Sequence, residues 1–192
     1  MEATVSTFAS WIHGNAVVLE GSAEHFVGGA GTGGGYAADG TYVRVTTSGG
    51  ELHVDDVVMM HMGWGTVAAF RSQQTRWFHI PLPSPVIYDG RRSKMVRFFL
   101  LWKIVGGGSL EFIHLYDGFR MIPVGFTNAH QAPDGRLGYP AGDHSLIDDF
   151  SRFELGAPAV SASGFGLSFQ VKGNKQSELT VTAAGADFEY AE

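Results

Sequence analysis

Eight histidines stand among 192 residues. Three lie within or beside apolar runs: His61 in Val-Met-Met-His-Met, His79 in Trp-Phe-His-Ile-Pro and His114 in Phe-Ile-His-Leu-Tyr. Imidazole exchanges its proton near neutral pH and ligates metals, so these residues suit acid/base work or metal binding. Three imidazoles arriving from separate strands could hold zinc, iron or copper with an open position. The His-x-His pattern of a cupin is absent. Each ring could equally donate to a nearby carbonyl and pack as a half-buried aromatic. In a catalytic reading, His79 or His114 is the acid or base beside Asp117 in an enclosed apolar cavity. That chemistry fits a cyclase or isomerase acting on a small metabolite.

Aromatic residues offer a second chemistry. Trp64 sits between Gly63 and Gly65, where it either plugs one end of the core or stacks on a ligand. Trp77 follows the polar stretch 72–76, and Tyr36, Tyr88, Tyr116 and Tyr139 stand at or near glycine-rich turns. Sugars and flat metabolites are held by such aromatics together with Asp, Asn and Arg. The leading expectation is a carbohydrate-binding or small-molecule-binding domain. It uses Trp64, Trp77, Tyr116 and Asp117, with Arg71 or Arg76, on one rim. The carboxylate pairs Asp55-Asp56 and Asp148-Asp149 cannot act as acid/base couples by adjacency, because neighbours on a strand point to opposite faces. Gly-x-Ser-x-Gly is absent, and Ser163 lacks the setting of a nucleophile elbow. A triad assembled from distant loops is a matter of geometry, which spacing does not reveal.

The elements that must position these groups are strands. Phe165, Leu167, Phe169 and Val171 alternate with Gly166, Ser168 and Gln170, the period of a half-buried strand. Leu179, Val181 and Ala183 alternate with threonines, and Val43 and Val45 with Arg44 and Thr46. Met95 to Val105 is apolar almost throughout, as in a strand covered on both faces. Leu110 to Tyr116 follows Gly106-Gly107-Gly108-Ser109, so the two runs read as a hairpin. Further strands are expected over 11–20, 52–62, 66–71, 77–80 and 121–126. Asp-Gly at 39–40, 89–90, 117–118 and 134–135 marks tight turns. A turn or two of helix is expected near 145–150. The whole chain, 1–192, reads as one all-β domain. Its expected form is a two-sheet antiparallel β-sandwich, jelly-roll-like, with two long loop insertions at about 28–40 and 128–143. The first insertion holds seven glycines but no P-loop lysine.

Composition narrows the field. With no cysteine there is no disulfide framework, zinc knuckle or thiol nucleophile. Thirteen basic residues against nineteen acidic ones give a net charge of −6, which disfavours nucleic-acid partners. The basic cluster at 91–94 reads as a solvated hairpin end. The most apolar run, Phe98 to Trp102, is far short of the roughly 20 residues of a membrane span. No secretion signal is visible, so a cytoplasmic location without membrane association is expected. A homo-oligomer is compatible with the long strands, and a structural or assembly role is a third reading.

Four segments in order resemble a small bacterial domain-of-unknown-function family, the DUF6623 type. They are Trp11-Ile12-His13-Gly14-Asn15-Ala16; Gly63-Trp64-Gly65-Thr66 with Trp77-Phe78-His79-Ile80-Pro81 and Pro85-Val86-Ile87; Ile113-His114-Leu115-Tyr116-Asp117-Gly118; and Phe165-Gly166-Leu167-Ser168-Phe169 with Ala183-Ala184-Gly185-Ala186-Asp187-Phe188. The resemblance covers about half of the chain and implies one compact β-domain. It carries no catalytic residues. Glu20 and Asp187 also resemble, by position, the calcium ligands of jelly-roll carbohydrate-binding modules, so structural calcium is the one cofactor that the pattern suggests.

Overall fold

A computed structural model describes residues 5–20, 34–36, 42–45, 52–53, 57–70, 73–85, 87–88, 90–124 and 137–191. Strands make up 73% of the structure. They are β1 (Val5–His13), β2 (Val18–Leu19), β3 (Gly34–Tyr36), β4 (Tyr42–Val45), β5 (Leu52–His53), β6 (Val57–Met62), β7 (Gly65–Phe70), β8 (Gln74–Pro81), β9 (Ile87–Tyr88), β10 (Arg91–Arg92), β11 (Lys94–Asp117), β12 (Arg120–Ile122), β13 (Tyr139–His144), β14 (Arg152–Val160), β15 (Phe165–Gly173) and β16 (Glu178–Ala191). A single 3-10 turn, Gly14–Ala16, links β1 to β2. Eleven strands join one antiparallel sheet, curled into a half-barrel. Its main path is β2-β8-β15-β11-β16-β7-β6, with β1 added to β16 and with β12, β13 and β14 added to β11. Two small sheets, β3-β4-β5 and β9-β10, stand apart from this network.

The frame is β11, 24 residues long. The hairpin expected at Gly106-Gly107-Gly108 does not form there. The chain runs on as one strand with a corner, Gly106 and Gly107 holding φ of 75° and 84°. The reason lies in its partners. From Lys94 to Val105 it pairs with β16, and from Ser109 to Asp117 with β15. Because β15 and β16 follow each other antiparallel to β11, they form a second long strand, interrupted at 174–177 opposite the glycines. Turn-forming residues supply the positive φ, while the waiting partner strands decide that the chain bends rather than reverses.

The core follows the alternation. Phe165, Leu167, Phe169 and Val171 are buried, as are Phe78 and Ile80 of β8. The Phe78 and Phe169 rings stack at 5.5 Å. In β11 the register shifts between Leu110 and Phe112, so Glu111 is a bulged residue. Past the bulge, Ile113 and Leu115 face the core and Phe112, His114 and Tyr116 face outward.

The helix expected near 145–150 is replaced by bends and turns. The Asp148 carboxylate accepts from the Phe150 and Ser151 amides, both at 2.8 Å, and from His144 Nδ1 at 2.7 Å. A short polar side chain that captures local amides competes directly with helical hydrogen bonds. Asp148→Ala is therefore expected to loosen this loop and to lower stability by about 1–2 kcal/mol, read by urea titration.

Of the two expected insertions, 28–33, 37–40 and 128–136 lie outside the described residues. Among the described residues, no helix is long and apolar enough to cross a membrane.

Candidate ligand-binding face

The outward sides of β8, β15 and the second half of β11 form one continuous surface, and register fixes its rows. Trp77 stands beside Gln170 and Phe112; His79 beside Ser168 and His114; Pro81 beside Gly166 and Tyr116. The Trp77 ring lies 4.9 Å from His114 and 6.3 Å from Phe112, centroid to centroid. His114 lies 6.1 Å from Tyr116. Each of these rings is half-buried against the next. A side chain at Gly166 would meet nothing within 4 Å. The glycine thus leaves a notch in the third row, between Pro81 and Tyr116 and next to Ser168.

Polar groups border the aromatic strip. Ser168 Oγ and His79 Nδ1 are 2.8 Å apart, and Glu20 lies 3.6 Å from the other ring nitrogen, Nε2. Glu20 reaches this place because its backbone N–H bonds to the Trp77 carbonyl at 3.0 Å, extending β2 alongside β8. The Tyr116 hydroxyl is 3.5 Å from His114 Nδ1. Burial among the aromatic rings holds the His114 pKa below its ordinary value, which favours the neutral imidazole.

The structure brings Trp77, Tyr116, His79, His114 and Glu20 together. It places the other expected site residues elsewhere. Arg76 has the strand parity of Phe78 and Ile80, opposite to Trp77. Trp64 is exposed at the tip of the β6–β7 hairpin, and three strands separate β7 from β8 in the sheet order. His61 is held in that same hairpin by Thr66 Oγ1 at 2.7 Å, so the three histidines do not share one centre. Arg71 lies outside the described residues.

Asp117 lies on the opposite side of β11 from His114. Its side chain is 1% exposed and accepts from the amides of Ala162 at 2.9 Å and Ser163 at 2.8 Å. An enclosed His–Asp pair is therefore not what β11 builds: three residues along a strand reverse the face. Glu20 and Asp187 engage different partners, His79 and Arg97, the latter at 3.2 Å. Burial pushes the Asp187 pKa up, with Arg97 drawing it down and Glu154 adding to the rise. Among the described residues, no group of three or more His, Asp or Glu side chains could hold a metal ion.

Ser168, Gln170 and Phe112 are the members of this face that sequence reasoning does not single out. The alternation in 165–171 does mark Ser168 and Gln170 as outward-facing. What it lacks is the cross-strand register that sets them between two histidines and two aromatic rings. No protein-family model matches the chain, and no curated protein matches it.

Proposed function

We propose that this chain is a binding protein whose outer β8-β15-β11 face takes a carbohydrate. The observation that carries the reading is the contiguous strip of Trp77, His114, Phe112 and Tyr116 on an exposed sheet face, bordered by hydrogen-bonding groups. A sugar ring has an apolar C–H face and an equatorial rim of hydroxyls. Such a ring stacks on aromatic carbon while its rim meets Glu20, His79, Ser168 and Gln170. The notch at Gly166 offers depth for one substituent.

The finer architecture, a two-sheet jelly-roll-like sandwich, belongs to the same proposal. It is supported by the corner in β11, which lets one strand serve two layers. So does the resemblance to the DUF6623-type family, which adds no function of its own.

Trp77→Ala is expected to weaken sugar binding about tenfold, because stacking contributes roughly 0.5–1.5 kcal/mol beyond buried area. Calorimetric titration with the best ligand from a glycan array measures this, with Trp64→Ala as the control that leaves affinity unchanged. Absence of any array signal, together with no thermal shift across mono- and oligosaccharides, would end the proposal.

A further inference from the structure

We propose that the same face is also a hydrolytic site, in which Ser168 is the nucleophile, His79 its base and Glu20 the group that positions His79, acting on small O-acyl esters. The inference rests on the proposed sugar-binding face only for its location and for the source of the acyl group, an esterified hydroxyl.

The three side chains have the geometry of a nucleophile, a base and a positioning carboxylate. A serine hydroxyl needs a base at hydrogen-bond distance, and the base needs a carboxylate on its far nitrogen; the constellation is defined by these roles and not by chain order. Ser168 Oγ to His79 Nδ1 is 2.8 Å, and His79 Nε2 to Glu20 is 3.6 Å. The second distance is longer than a hydrogen bond, as such contacts often are before substrate binds. The three residues come from β15, β8 and the end of β2, far apart in sequence and joined only by register.

Space for the substrate lies beside Ser168. A carbonyl must approach Ser168 from the outward side, and Gly166, two residues away on the same face, leaves the adjoining position open. The developing oxyanion also needs a donor. β15 is paired on both sides, with β8 and with β11, so its backbone amides are committed to the ladders. The donor must be a side chain, and His114 stands directly across from Ser168. The 3.5 Å contact between the Tyr116 hydroxyl and His114 Nδ1 permits either direction; in the one where the hydroxyl donates, the neutral ring carries its proton on Nε2 and can present it to an oxyanion.

The reaction balances with water as the only co-reactant. Ser168 Oγ bonds to the ester carbonyl carbon as its proton passes to His79. The tetrahedral adduct collapses, the ester C–O bond breaks, and the departing alcohol oxygen takes the proton from His79. Water, giving a proton to His79, then attacks the acyl-serine; Ser168 leaves and recovers that proton. The products are an alcohol and a carboxylic acid.

The test uses the full chain with p-nitrophenyl acetate as substrate and a fluorophosphonate as covalent label. Ser168→Ala is expected to lose labelling and at least about 100-fold of the hydrolysis rate. Gly166→Val, which fills open space on the surface, is expected to lose activity while keeping the wild-type melting temperature. Glu20→Gln is expected to lower kcat about tenfold with KM unchanged, and Glu20→Asp to restore part of it. Labelling that persists in Ser168→Ala, or wild-type hydrolysis no faster than that of free imidazole at equal concentration, overturns the proposal. Sugar binding without serine labelling removes this inference alone. Labelling without sugar binding removes only the binding reading.

Discussion

Asp117→Ala is expected to lower stability by about 3–5 kcal/mol, the larger part of it from two backbone amides. The carboxylate lies under the turn that joins β14 to β15 and accepts from Ala162 and Ser163 at 2.9 and 2.8 Å. Removing it leaves both donors without their acceptor. Arg120 also reaches Asp117, at 3.1 Å, but its side chain is 61% exposed and so contributes under about 1 kcal/mol. Arg120→Ala should therefore cost far less than Asp117→Ala, and equal losses would show that the ion pair carries the effect. For a chain of this size the expected fall in Tm is about 10 °C.

The dependence on pH follows from the same contacts. Burial alone pushes the Asp117 pKa up. The Ser163 and Ala162 amides, with Arg120 beside them, more than offset this and hold it below the ordinary value of 3.8. A carboxyl with a depressed folded pKa stabilises fully above its unfolded pKa, and that contribution is lost as pH falls through the folded value. The gap between wild type and Asp117→Ala in urea titrations should thus be widest at neutral pH and begin to narrow only below about pH 4, as Asp117 takes up its proton.

Gly106→Ala is expected to be comparably damaging, at about 3 kcal/mol or more. At φ of 75°, a side chain brings left-handed strain of about 1–2 kcal/mol. Its Cβ would also stand 1.8 Å from the Gln176 carbonyl oxygen, in the segment that links β15 to β16. Backbone cannot swing aside as a side chain can, so overlap adds about 1–3 kcal/mol. Gly90 separates the two causes. It has φ of 72° but open space around it, so Gly90→Ala should cost only the conformational part, about 1 kcal/mol. Similar melts for the two variants would mean that the corner is not tightly packed.

These two positions also show what was legible in the amino-acid order. Asp117-Gly118 reads correctly as a turn, with Gly118 at φ of 60°. The fate of the Asp117 carboxylate depends on residues 45 positions away, which spacing cannot announce. Gly106 to Gly108 reads as the turn of a hairpin; the positive φ of a turn is present at Gly106 and Gly107, but the hairpin is not. Whether the chain then reverses or turns a corner depends on β15 and β16, which begin about 60 and 70 residues downstream. The strands themselves were accessible because a half-buried strand must alternate, as 165–171 does.

The candidate site was partly accessible for the same reason. Trp77, His79, His114 and Tyr116 stand out by type, and their odd or even spacing sets them on one face of each strand. Arg76 and Asp117 fail by that parity: one residue from Trp77 and three from His114 place them on the other side. Ser168 and Glu20 join the site through register and through the extension of β2, which are tertiary facts.

The pairing of β16 bears on how the chain comes to fold. β16 lies between β11 and the strands β1 and β7, and β1 meets it from Val5↔Ala191 to His13↔Ala183. An interior strand of the sheet is therefore the last of the described strands to leave the ribosome, and one of its neighbours is the first. At 5–20 residues per second, β1 waits on the order of 10 s for its partner, and the apolar length of β11 waits beside it. Contacts so distant in sequence also slow the closing step itself. The interval before β16 emerges is the time in which this protein most needs protection from aggregation during synthesis.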